Sequence, residues 1–155
     1  MNVKFLSVIV FSLVLISCST TPQLILYKGE PVARENVAVV SALGLYADRK
    51  LSLTVKKIDG KPVAAATEMH LLPGTYTFNI HVWHDLKPGW PVTSWKELYV
   101  DKTVTLEKGH TYVPQAILEK DGAQVTLEDK GLNYPEDCNP FLLYQAKKPH
   151  DFCKK

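Results

Sequence analysis

All three tryptophans of the chain fall within thirteen residues, in the run Trp83-His-Asp-Leu-Lys-Pro-Gly-Trp90-Pro-Val-Thr-Ser-Trp95. Aromatics gathered so closely do one of two things: they plug the open end of a core, or they form a platform for a sugar ring or a protein partner. Pro88-Gly89 and Pro91 exclude a regular strand through the middle, so the run reads as a loop with Trp90 at its tip and Trp95 opening the next strand. Trp83, Trp90 and Trp95 are therefore the candidate binding residues. Beside them, His81 and His84 suggest a metal, but on a strand those positions point to opposite faces. The chain contains no Gly-x-Ser-x-Gly elbow, no His-Glu-x-x-His helix and no phosphate-cradling glycine loop. Its acids are scattered over strand edges and turns. No catalytic residue is nominated, no metal site is assigned, and the expected activity is non-enzymatic.

The cysteines carry the other chemistry. Cys18 follows an uncharged, mainly apolar run from Phe5 to Ile16, which Lys4 precedes and the small Ser17 closes. That charge pattern, length and cut-site chemistry describe a secretory signal peptide over residues 1–17. The run is shorter than the ~20 apolar residues a spanning helix needs.

Leu15-Ile16-Ser17-Cys18 resembles the lipobox of bacterial lipoproteins. The resemblance implies a diacylglyceryl group on the Cys18 sulfur, cleavage before it, and an acyl chain such as palmitate on the freed amine. Two or three chains hold a protein on a membrane stably where one does not. Ser19, in place of the aspartate that retains such proteins at the inner membrane, implies an outer-membrane location facing the periplasm. Residues 18–23 then form a short tether with an extended reach of roughly 17–20 Å, which keeps the folded part close to the bilayer.

With Cys18 taken by lipid, Cys138 and Cys153 remain as an even pair in an oxidising compartment, and a disulfide is expected. Between them Asn139-Pro140 reads as a helix start, and Lys147, Lys148 and Pro149 as its end. The rival assignment makes Cys138, His150 and Cys153 metal ligands. Loss of the first 17 residues removes only Lys4, leaving 17 basic and 16 acidic side chains with no basic stripe. That near-balance gives no steering toward nucleic acid.

The middle of the chain alternates with period two, as half-buried strands do. Leu51, Leu53 and Val55 share one face; Tyr76, Phe78, Ile80 and Val82 share another, opposed by Thr77, Asn79, His81 and Trp83. Val37–Leu43 is more continuously apolar, interrupted only by Ser41, as a strand inside a packed sheet should be. Asp59-Gly60, Pro73-Gly74, Lys108-Gly109 and Asp121-Gly122 punctuate the pattern, and the two Asp-Gly pairs suit tight hairpins. Gln115–Leu118 is expected against Gln124–Leu127, with Pro114 at an edge or bulge.

Lys57-Ile-Asp-Gly-Lys-Pro-Val and Leu71-Leu-Pro-Gly-Thr-Tyr-Thr-Phe-Asn-Ile resemble the corresponding runs of transthyretin-like, carboxypeptidase-regulatory-type sandwiches and of small bacterial envelope domains named for a Pro-Glu-Gly-Ala motif. The resemblance spans about residues 55–83, with an echo at Gly109-His-Thr-Tyr-Val, and implies a fold and an accessory role. The expectation is an all-β, antiparallel β-sandwich of seven or eight strands over residues 24–130. A C-terminal extension, 131–155, adds a short helix clipped by the disulfide. The expected function is a lipid-anchored, non-catalytic structural or protein-interaction module of the cell envelope; the alternative is a glycan-binding module using the Trp loop. No cofactor beyond the covalent lipid on Cys18 is expected. The partners are the membrane, an unidentified envelope protein and possible glycan, with no nucleic acid.

Overall fold

A computed structural model describes residues 23–45, 51–64, 66–85, 95–119 and 122–135, with Cys138 and Cys153. Cys18, the signal peptide expected over 1–17, Trp90 and the helix expected over 140–148 lie outside the described residues.

The described chain is all-β and sandwich-like. One sheet holds β1 (Gln23–Ile25), β6 (Glu68–Leu71), β2 (Ala38–Ser41), β9 (His110–Glu119) and β10 (Gly122–Leu132), in that spatial order. The other holds β3 (Leu43–Leu45), β4 (Leu51–Ile58), β7 (Gly74–Asp85) and β8 (Trp95–Leu106), with β5 (Lys61–Pro62) paired to β4. The ten strands exceed the seven or eight expected because β1, β3 and β5 are two or three residues long, too short to show alternation. The sheets are also not wholly antiparallel: β1 runs parallel to β6, and β2 parallel to β9.

The inward faces meet in one core. Leu53, Phe78, Ile80, Val82 and Leu106 of the second sheet pack with Ala38, Val40, Met69, Leu71, Tyr112 and Val125 of the first. Phe78, Ile80 and Val82 are fully buried, and Leu51, Leu53 and Val55 are buried on alternate positions, as the period of two requires. A bulge between Val55 and Lys57 then resets β4 so that Ile58 also turns inward.

Turn chemistry sets the registers. Asp59 (φ 49°) and Gly60 (φ 75°) both adopt positive φ, and Ile58 pairs with Lys61 across them, as an Asp-Gly hairpin should. Asp59 is also bonded into β7: its backbone N–H donates to the Thr77 carbonyl and its carboxylate accepts from the Thr77 N–H, each at 2.8 Å.

The β9–β10 hairpin forms, but Glu119 pairs with Gly122, so Gly122 opens β10 instead of sitting within the turn. The core decides this register: it places Val125 opposite Ala116 and Leu127 opposite Pro114, and a one-residue slip would turn those side chains out. Pro114 is buried within β9, and the ladder to β2 stops at Tyr112, before the proline would have to donate to it.

Gly109 (φ 76°) takes the left-handed turn, and a Cβ there would sit 3.2 Å from the Glu35 carbonyl oxygen. Its N–H donates to the Val37 carbonyl at 2.7 Å. Beyond β10, Cys138 is fully buried and joined to Cys153, with Cα atoms 5.4 Å apart.

Candidate functional site

The outward positions of the second sheet form the candidate site. Trp83 and Trp95 are not loop residues: β7 runs on to Asp85 and β8 begins at Trp95, with Asp85 opposite Trp95 and Trp83 opposite Glu97. Trp83 thus continues the alternation of β7 and Trp95 opens the next strand, both as expected, and only the reading of the whole 83–95 run as loop is corrected. Long strands reach into the segment because its prolines lie further in, at positions 88 and 91. Trp83 and Trp95 are diagonal neighbours on one face, close enough for aromatic side chains to share a surface. Trp95 is 55% exposed and Trp83 half-buried.

Tyr99, which the sequence reading did not single out, completes the face. It stands four residues along β8 from Trp95, roughly 13 Å away on the same side, and is 61% exposed. Opposite it lies His81, whose ring stacks on the tyrosine with centroids 4.8 Å apart and an interplanar angle of 25°. The His81 Nε2 lies 3.5 Å from a Glu97 carboxylate oxygen. Further along, the Asn79 amide donates to Asp101 at 2.7 Å, and two cross-strand threonine pairs, Thr77–Thr103 and Thr75–Thr105, are hydrogen-bonded at 2.9 Å. Period-two alternation was the available signal for Tyr99. It places residues 95, 97, 99 and 101 on one side, and only the pairing with β7 makes that side a surface.

The outward positions of β7 and β8 thus read Thr75, Thr77, Asn79, His81, Trp83 and Trp95, Glu97, Tyr99, Asp101, Thr103, Thr105. Every one is aromatic or polar, and none is aliphatic. Glu97 and Asp101 are acidic, and Lys57 stands opposite Asn79 on β4. The face can stack on flat apolar surfaces and exchange hydrogen bonds with hydroxyl or amide groups, and it is unsuited to anions.

His81 and His84 fall on opposite faces of the unbroken β7, so one ion cannot bind both. Among the described residues no three His, Cys, Asp or Glu side chains gather to hold a metal. Two further polar clusters were not foreseen. On the outer side of the first sheet, Glu68 accepts from Arg34 at 3.0 Å and lies 3.7 Å from His70 Nε2. Ser41 stands opposite Glu68, but its hydroxyl donates to the Leu43 carbonyl at 2.7 Å, which aims it away from nucleophilic use.

At the β9 turn, His110 Nδ1 lies 2.9 Å from Asp129 and Nε2 lies 3.7 Å from Glu107, so carboxylates flank both ring nitrogens. Burial pushes the neighbouring Tyr112 hydroxyl above the ordinary phenol value. The Glu107 N–H that donates to it at 3.0 Å pulls the other way, and the Asp129 and Glu107 carboxylates push it up again. Both clusters pin strands and loops together. Searches of protein-family models, curated proteins and solved structures find no match to this chain.

Proposed function

We propose that the chain is a lipid-anchored, non-catalytic binding module of the bacterial envelope, tethered through Cys18 to the outer membrane, that takes a neutral oligosaccharide on the outer face of β7 and β8. One observation carries the choice of ligand: Trp95 and Tyr99 are exposed on a face whose other outward positions are polar apart from the half-buried Trp83, with no aliphatic side chain. Sugar rings offer apolar C–H faces for stacking and hydroxyls for side chains such as Glu97, Asn79 and Asp101. A protein-binding patch centres on buried apolar anchors and depletes acids at its core. The acidic groups disfavour phosphate-rich or carboxylate-rich glycans.

The protein-interaction reading is retained because the same aromatics serve as hot-spot residues in protein interfaces. Titrating tryptophan emission with neutral oligosaccharides and with muropeptides separates the two. The expected result is a saturable change for wild type, with affinity about tenfold lower for Tyr99→Ala, equivalent to about 1.4 kcal/mol for one lost aromatic stack. No saturable change with any neutral glycan, together with a protein adduct in cells that Tyr99→Ala removes, would transfer the site to a protein partner.

A further inference from the structure

The first sheet ends in a short strand with exposed aliphatic side chains beside it. β1 pairs with β6 so that Ile25 lies opposite His70, and the Leu26 N–H continues the ladder to the His70 carbonyl at 3.0 Å. Ile25 (44%), Leu26 (37%), Leu72 (42%) and Val32 are all exposed. Leu72 follows the last residue of β6, which brings it to the same strand end as Leu26. The Tyr27 hydroxyl holds the following bend by accepting from the Val32 N–H at 2.9 Å. The only charges between residues 23 and 33 are Lys28 and Glu30, which offset one another. This edge therefore presents aliphatic groups with a tyrosine and little net charge, the character of a surface that rests in the headgroup region.

The chain ahead of β1 says what covers it. Four residues separate Cys18 from Gln23, an extended reach of roughly 17–18 Å. Leu26 lies only about 10 Å along the strand from Gln23. A lipid anchored at Cys18 therefore keeps this edge within reach of the bilayer, and the attachment makes contact intramolecular, so that weak apolar affinity is enough to hold it.

We propose that the β1–β6 edge, through Ile25, Leu26, Val32 and Leu72, seats on the surface of the membrane that holds Cys18 and so fixes the orientation of the domain. The inference rests on the lipid-anchored reading. β1 is one edge of its sheet and β10 the other, and β8 lies beside β10. Seating at β1 turns the Trp95–Tyr99 face away from the bilayer, where a ligand can approach.

The test uses the full lipidated chain in vesicles of phosphatidylethanolamine and phosphatidylglycerol. Photoreactive benzoylphenylalanine replaces Leu72 in one sample and Thr105, on the far face, in another; a third at Ile25 keeps the test open should the Leu72 replacement not fold. The proposal expects lipid adducts from positions 72 and 25 severalfold above those from 105. Equal yields, or adducts to a second copy of the chain, from protein that sediments with the vesicles would overturn the seating and leave the anchor standing. Protein remaining in the supernatant would overturn the anchored reading and the seating with it.

Discussion

The two sheets share a core but treat their other faces in opposite ways. Val39, Ser41, Glu68, His70, Thr111 and Val113 point away from the core of the first sheet and are nonetheless buried. Trp95, Glu97, Tyr99, Asp101, Thr103 and Thr105 point away from the core of the second and are exposed. The cause is in the strands: β2 is apolar on both sides, Ala-Val-Val-Ser, so its outer face must be covered as well. Arg34, from the short 3-10 turn at Arg34–Asn36, reaches over it to Glu68. β7 and β8 alternate polar with apolar and need no cover. A face that is bare and yet carries large aromatics is the one with surface to offer a ligand.

The sharpest way to break that contrast is to place the same charge on each outer face. Val113→Asp puts an unpaired carboxylate in a buried position and should cost more than about 4 kcal/mol, enough to prevent folding, whereas Tyr99→Asp should cost about 0.5 kcal/mol. Chemical denaturation with circular dichroism reads both. If both variants fold equally well, the first sheet is not covered and the comparison fails.

Next in size is the disulfide beyond β10. Cys138→Ser combined with Cys153→Ser opens a loop with a sequence separation of 15 and should lower stability by about 3 kcal/mol. A denaturation midpoint unchanged from the oxidised wild type would show that the cross-link contributes nothing to the stability of the fold.

A smaller effect appears at high pH. Tyr112, Tyr76 and Tyr134 all resist ionisation in the folded chain, each chiefly through burial. The unfolded chain ionises near the ordinary phenol value of about 10 and the folded chain only above it, so the native state binds more protons in that window. The contribution is fully present below pH 10 and is lost as pH rises beyond it. Thermal melts should therefore fall steeply above pH 10, and Tyr112→Phe should flatten the slope. An identical slope in wild type and variant would remove Tyr112 from the account.

The smallest stability effect belongs to the candidate site. Trp95→Ala should shift stability by no more than about 0.5 kcal/mol while weakening ligand binding, since the ring is largely exposed. A large destabilisation would show that the tryptophan is a plug.

Much of this arrangement was legible in the residues. Alternation placed Leu53, Phe78, Ile80 and Val82 in the core, the more continuously apolar run from Val37 marked an inner strand, and Asp59-Gly60 marked a hairpin. Parallel pairing of β1 with β6 and β2 with β9 was not legible, because period two says which face is buried and nothing about which strand lies alongside. The Asp121-Gly122 register slipped for a related reason: turn residues propose a register, and the fit of Ala116, Val125 and Leu127 into the core selects it. Tyr99 was missed because clustering in sequence drew attention to the tryptophans, while the surface is assembled across two strands, with His81 joining it only through pairing.

The most direct test is an amide chemical-shift map of the isotopically labelled protein, titrated with a neutral N-acetylated oligosaccharide. The account predicts saturable shifts at Trp83, Trp95, Tyr99, Asp101 and the Trp95 indole, with β2, β6 and β9 unmoved. Shifts confined to the first sheet, or none at ligand concentrations that saturate the tryptophan emission change, would contradict it.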